Sequence, residues 1–259
     1  MRTYLFILCS LSLISSVINL YERCGPEYGK CDEEDCCSED GYCVIGWGCM
    51  ISEGCQPEYG FCENDIEDNY EPPNKGENLT PDGKEMKRRD YEKKIWDYLS
   101  LKLNGNKYAV AGVMGLFYLY SDLNPNYLTY KCEKKFGIDG ETYTKKVDEG
   151  SQKHFVLDGC GYGLIEWSKK ALKRRLLKYA KSKQKSVGDI IIQIDFFLKE
   201  LSEKDRDSFE DLLDSNSIYS AISTIGYDYF KEKHFSYYSG HFKDGLNTGR
   251  FYYNIYGKK

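Results

Sequence analysis

YAVAGVMGLFYLYSDLNP, residues 108–125, is the stretch on which the reading of the chain turns. Val110, Val113, Met114, Phe117 and Tyr118 recur at the spacing of one helical face, and Ser121, Asp122, Asn124 and Pro125 then gather as turn formers. The same period runs upstream through KKIWDYLSLKL, with Ile95, Trp96, Leu99 and Leu103 on one face. Downstream, Ser186 and Asp189 form a capping-box-like start, with Asp in place of the usual Glu or Gln, before Ile190, Ile194, Phe197, Leu198 and Leu201. Strand-like alternation is scarce. Residues 84–259 are therefore predicted to be a mainly α-helical globule of six to nine helices with a tyrosine-rich C-terminal pair.

The rest of the chain is of another kind. Of eleven cysteines, eight crowd between Cys24 and Cys62, Cys9 lies near the start, and only Cys132 and Cys160 fall in the helical region. Residues 21–71 carry 15 acidic against 2 basic side chains, whereas residues 72–259 carry 26 against 33. A small disulfide scaffold and a larger domain with its own core account for both splits. Arg2 followed by TYLFILCSLSLISSVI reads as a signal peptide over residues 1–20, with an uncleaved anchor as the alternative. The cysteines then meet an oxidising, extracellular environment. Residues 21–63 form the module, and residues 64–83, rich in Pro, Gly, Asn and charge, form a linker carrying the sequon at Asn78. No other stretch is apolar enough for a membrane span, and a secreted chain of net charge −5 is a poor match to nucleic acid.

CGPEYGKCDEEDCCSEDGYCVIGWGCMISEGCQPEYGFC, residues 24–62, places vicinal cysteines before Ser, then Gly-Tyr-Cys, Gly-Cys-Gln and a closing Gly-x-Cys. This pattern resembles the hevein-type chitin-binding module. Cysteine count alone leaves 105 pairings. The resemblance implies Cys24–Cys37, Cys31–Cys43, Cys36–Cys49 and Cys55–Cys62. It also implies an exposed sugar face, with Ser38 bonding an acetamido group and Tyr42 as a ring on which a sugar stacks. Trp47 is a second candidate ring, one residue early in a shortened loop, because Gly48 stands at the aromatic position before Cys49. Asp40 replaces a further ring. For Tyr42 and Trp47 the competing reading is packing, and for Asp40 it is an ordinary turn residue; an acidic face favouring cationic glucosamine chains is the sharper one.

Three ordered segments of the helical region, residues 108–125, KCEKKFGIDGETYTKKVDEGS at 131–151 and GYGLIEWSKKALKRRLLKYAKSKQKSVGD at 161–189, resemble the phage-tail-lysozyme type of peptidoglycan hydrolase. The fold class expected is thus a small disulfide-rich hevein-like module plus a mainly α-helical lysozyme-like domain. In that family the helix ends in Glu-Ser-Gly-Leu-Asn-Pro, and its Glu is the general acid. Aligning Ser121, Leu123, Asn124 and Pro125 puts Tyr120 on the acid's position. A phenol with an ordinary pKa near 10 is a poor proton donor to an acetal. Glu166 stands where the family has Gln in a Gly-Tyr-Gly-Leu-x-Gln-Trp run, which makes it the one replacement acid to weigh against a plain surface Glu. Asp122, two residues beyond Tyr120, turns roughly 200° away on a helix. Tyr162 and Trp167 are candidates for a glycan-groove wall, with core packing as the alternative.

A bridge Cys132–Cys160 is expected for the two cysteines left over. His154, His234 and His241 show no ligand spacing, and no Cys-His or Ser-His-Asp arrangement is visible, so neither metal nor cofactor is expected. The run KKALKRRLLKYAKSKQK reads as a solvated helix face, with wall carboxylates as its alternative partner. Two functions remain open. One is a secreted binder of chitin or a related N-acetylglucosamine polysaccharide, carrying an impaired lysozyme-like domain. The other is a working peptidoglycan or chitin hydrolase that uses Glu166 or another acid.

Overall fold

A computed structural model describes residues 22–32, 35–44, 54–60, 62, 84–204, 206–226 and 240–258, with backbone alone for 84–91 and 240–241. The segments read above as signal peptide and linker, the Asn78 sequon, Trp47, Gly48, Cys49, His234 and the tyrosine-rich stretch 227–239 lie outside these residues, as does the side chain of His241. The chain divides into two compact units, Met1–Asp65 and Ile66–Lys259.

The first unit is organised by sulfur. Strands β1 (Cys36–Cys37) and β2 (Cys43–Val44) pair antiparallel, with Cys36 opposite Val44 and Cys37 opposite Cys43. Disulfides join Cys24 to Cys37, Cys31 to Cys43 and Cys55 to Cys62, and Cys36 is disulfide-bonded as well. Cys24, Cys36 and Cys37 are almost wholly buried, so the cystines take the place of an apolar core that so short a segment cannot build. Gly60 is dictated by this crowding: a Cβ there would lie 2.5 Å from the Cys37 amide nitrogen.

The second unit is helical, with nine α-helices among its described residues: α1 Lys84–Lys102, α2 Lys107–Ser121, α3 Tyr130–Phe136, α4 Gly140–Asp148, α5 Lys170–Ser182, α6 Ile190–Lys204, α7 Arg206–Leu213, α8 Ile218–Thr224 and α9 Gly240–Tyr252. A short π-helical turn, Tyr253–Gly257, follows α9. The helix at the centre is α2. Its residues Ala109 to Leu119 are all buried, as a helix apolar on every side must be, and it packs chiefly against α9 and α8. Small residues set the closeness of that packing: a Cβ on Gly115 would fall 2.3 Å from the Gly245 carbonyl oxygen of α9. Asn106 begins α2 by accepting from the amides of Tyr108 and Ala109, while its Nδ2 donates to the carbonyls of Leu213 and Ser215 between α7 and α8.

One local expectation is corrected. Ser186 does not cap α6; Asp189 does, its Oδ1 accepting from the amides of Ile191 and Ile192, while the Ser186 hydroxyl donates to Asp148 of α4 at 2.5 Å. With Asp rather than Glu three residues on, the side chain is too short to reach back, and it caps its own helix instead.

Cys132 of α3 and Cys160 are joined by a disulfide across 28 residues. In the chain-entropy model a loop of that length contributes about 3 to 4 kcal/mol. Replacing both cysteines by Ala should therefore lower the urea-unfolding free energy by about that much, with a steeper slope because the unbridged unfolded chain exposes more surface. A loss under about 1 kcal/mol would mean that the reduced chain is already held together there.

Candidate functional site

The end of α2 and the loop 161–167 are built as one piece. Leu128 and Tyr162 form an antiparallel bridge, flanked by the Thr129 amide donating to the Gly161 carbonyl at 3.1 Å and the Gly163 amide to the Tyr127 carbonyl at 2.9 Å. Ser121, buried at the last position of α2, donates through its hydroxyl toward the carbonyls of Phe117 at 2.9 Å and Leu164 at 3.0 Å. Gln193 of α6, fully buried, closes the arrangement. Its amide nitrogen Nε2 donates to the carbonyls of Pro125 at 2.7 Å and Val187 at 2.9 Å, and its Oε1 accepts from the Leu164 amide at 2.8 Å. This buried side chain thereby ties the Asn-Pro turn, the loop at Leu164 and the segment before α6 together, with both of its amide atoms hydrogen-bonded.

Backbone strain collects at the same place. Asp122, Leu123 and Glu166 all have left-handed backbone, with φ of 54°, 59° and 52°. Left-handed Asp is tolerated; a buried Leu and a Glu in that region are uncommon and persist only where the surroundings over-determine them. Such strain is a pointer to function. Tyr120, in the last turn of α2, is half-buried, and Glu166 is half-buried too. The side chain of Glu166 accepts a hydrogen bond from the Tyr127 hydroxyl. Burial, and then the charge and hydrogen bond of Glu166, push the Tyr127 phenol upward from its usual range, so Tyr127 keeps its proton and acts as donor. Gly161 faces Glu166 closely: a Cβ on Gly161 would sit 3.2 Å from that of Glu166.

Tyr162 and Trp167 are not on the wall of an open groove in this structure. Their exposures are 0% and 2%. The Tyr162 hydroxyl shares a hydrogen bond with Thr144 at 2.7 Å, its ring meets Tyr143 and Phe155, and Trp167 packs edge-on against Phe196. The packing alternative holds for both, because each lies on the inward face of the loop that Glu166 leaves. Burial raises the Tyr162 phenol well above its usual range, Thr144 opposing and Asp148 adding to the shift.

Beside the Asn-Pro turn lies an open cleft of about 650 Å³, lined by Asn126, residues of α4 including Thr144 and Asp148, and Ser186, Gly188 and Asp189. Neither Tyr120 nor Glu166 lines it. Its charged lining is Glu141, Asp148, Glu149 and Asp189 against the one cation Lys145.

Beneath the start of the loop is a charge that sequence reading missed. Lys173 belongs to the lysine-rich run of α5, yet its side chain is fully buried. Its Nζ donates to Asp158 Oδ1 at 2.6 Å and to the Cys160 carbonyl at 3.0 Å, and it lies 4.5 Å from the Phe155 ring centre. Asp158 in turn accepts from the Tyr143 hydroxyl and, at 2.9 Å, from the Cys160 amide. The signal that could have found it is positional: Lys173 shares a face with Leu176 and Ala180, the buried side of α5.

In the small unit, Ser38 accepts from the Tyr42 amide at 3.3 Å, and its own carbonyl is held by Gln56 Nε2 at 2.8 Å. Tyr42 is 38% exposed.

No curated protein and no solved structure matches the chain. A family model does: that of the phage tail lysozyme, over residues 90–237. The match spans the α2 end, the Cys132–Cys160 bridge and the strained loop, and it takes in more than half of the 259 residues. The second unit is accordingly a lysozyme-like helical domain, and the chain belongs to the phage tail lysozyme family.

Proposed function

We propose that this is a secreted protein that binds chitin or a related N-acetylglucosamine polymer through its small module, and that its lysozyme-like domain engages cell-wall glycan with strongly reduced hydrolysis. The observation that carries the reading is Tyr120 in the C-terminal turn of α2, at the position that the sequence resemblance aligns with the family's acid. Protonating a glycosidic oxygen at neutral pH requires a carboxyl of raised pKa, and a phenol does not replace it. The disulfide-rich module with exposed Tyr42 beside Ser38 supports the sugar-binding half. Signal peptide, linker and the extracellular address belong to the same proposal.

A second reading, an active hydrolase using Glu166, is favoured by one observation: its strained backbone beside the α2 end. Against it, Glu166 stands where the sequence resemblance has Gln, a residue with no acidic proton to give, so the position is not one the family uses for its acid.

Two assays divide the readings, clearing of a suspension of bacterial walls and co-sedimentation with insoluble chitin. The binding reading expects little clearing and clear co-sedimentation. In the second assay Tyr42→Ala should lose most of the chitin-bound fraction. Loss of one stacked ring of about 1 kcal/mol lowers affinity several-fold. Unchanged co-sedimentation of Tyr42→Ala would show that the sugar face lies elsewhere.

A further inference from the structure

Tyr28 and Tyr42 are the large apolar side chains that the described part of the small unit leaves exposed, at 55% and 38%. They are not scattered. The Arg23 guanidinium carbon lies 4.8 Å from the centre of the Tyr28 ring and 4.9 Å from that of Tyr42, and Arg23 Nη1 donates to the Tyr28 hydroxyl at 3.5 Å. The backbone fixes all three. Arg23 and Tyr42 form an antiparallel bridge; Tyr28 sits on a turn closed by the Gly25–Gly29 bridge, where Gly25 and Gly29 have φ of 111° and 96°. The neighbouring Cys24 and Cys43 are both in disulfides, which ties the turn and the strand to one rigid base.

We propose that Tyr28 is a second sugar-stacking position beside Tyr42, that Arg23 is the positioning residue holding the two rings, and that the pair takes a chain of β-linked N-acetylglucosamine several sugars long. The proposal rests on the chitin-binding reading and extends it to a residue which the sequence pattern does not single out. It accounts for Asp40, which stands where that pattern has a ring: the second ring comes from the turn at Tyr28 instead. Sugar CH faces stack on aromatic faces, and rings already locked by a guanidinium and two cystines lose little freedom on binding. Arg23 also offers N–H groups at the rim of the pair, suited to hydroxyl and acetamido oxygens. The competing role, a local cation–π contact that only stiffens the turn, predicts no effect on ligand chain length.

The test uses the full chain and chitin oligosaccharides of increasing length, titrated calorimetrically, with intact mass confirming the disulfides of each variant. The parent should bind longer oligosaccharides more tightly than the disaccharide. Tyr28→Ala should flatten that dependence, losing about tenfold on the longest ligand and little on the disaccharide, while Tyr28→Phe keeps it. Arg23→Ala should weaken binding by a smaller factor at every length. If Tyr28→Ala retains the full length dependence while Tyr42→Ala loses binding, the second position is refuted and the chitin-binding reading stands. If the parent binds none of the oligosaccharides, both fall together.

Discussion

Replacing Tyr120 by Glu is expected to raise wall lysis by about 10²- to 10⁴-fold, the share that general-acid participation ordinarily supplies. The scaffold for that side chain is in place. Ser121 is anchored at both ends of its hydrogen bonds, Leu123 is wholly buried, and the turn through Asp122 and Leu123 fixes the direction in which α2 ends. Leu116 and Leu119, which precede the position in the last turn of α2, pack toward Gly245 of α9, each placing a methyl 3.8 Å from where a Cβ there would stand. Their bulk is taken up by the helix pair. A carboxyl at a helix C-terminus also faces the negative end of the helix dipole, which raises its pKa in the direction an acid catalyst needs. Glu166→Gln, in either background, should leave lysis unchanged.

Lys173→Met is expected to cost about 3 to 5 kcal/mol of stability, since it strands the Asp158 carboxylate, 2% exposed, without its cation. Urea unfolding of the variant measures this directly. The double variant Lys173→Met with Asp158→Asn should recover a large part of the loss, because no buried charge then remains. A single-variant cost under about 1 kcal/mol would mean that water reaches the pair. Burial holds the Lys173 ammonium below its ordinary 10.5, with the Asp158 hydrogen bond and charge opposing. The unfolded chain is then the better proton acceptor, so this group's contribution to stability rises as pH climbs toward 10.5.

The helical class was legible in the sequence because a buried helix writes its period in apolar residues. Ile95, Leu99, Val110, Val113, Met114, Phe117, Ile194, Phe197 and Leu201 were picked out by spacing, and all are buried. What spacing does not carry is which face of a loop turns inward. Tyr162 and Trp167 straddle Glu166 within a few residues, and both rings are buried in a loop whose backbone turns left-handed at Gly163 and Glu166. Gln193 and Lys173 are hard to read for another reason: helical position marks them as inward, and composition does not say what they meet there. Each is a polar residue in a helical pattern, and its value lies in partners 68 and 13 residues away, Pro125 and Cys160. The Arg23–Tyr28–Tyr42 cluster likewise needs the turn at Gly25 and Gly29 before its members meet.

The central claim is that the position of the lost acid, and not the rest of the domain, limits hydrolysis. Its most direct measurement is the rate of clearing of purified bacterial walls by the unmodified protein, Tyr120→Glu and Glu166→Gln side by side at equal concentration. The account predicts near-background clearing by the unmodified protein and by Glu166→Gln, with a rise of two or more orders of magnitude in Tyr120→Glu. Vigorous clearing by the unmodified protein that disappears in Glu166→Gln would contradict it and place the acid on Glu166.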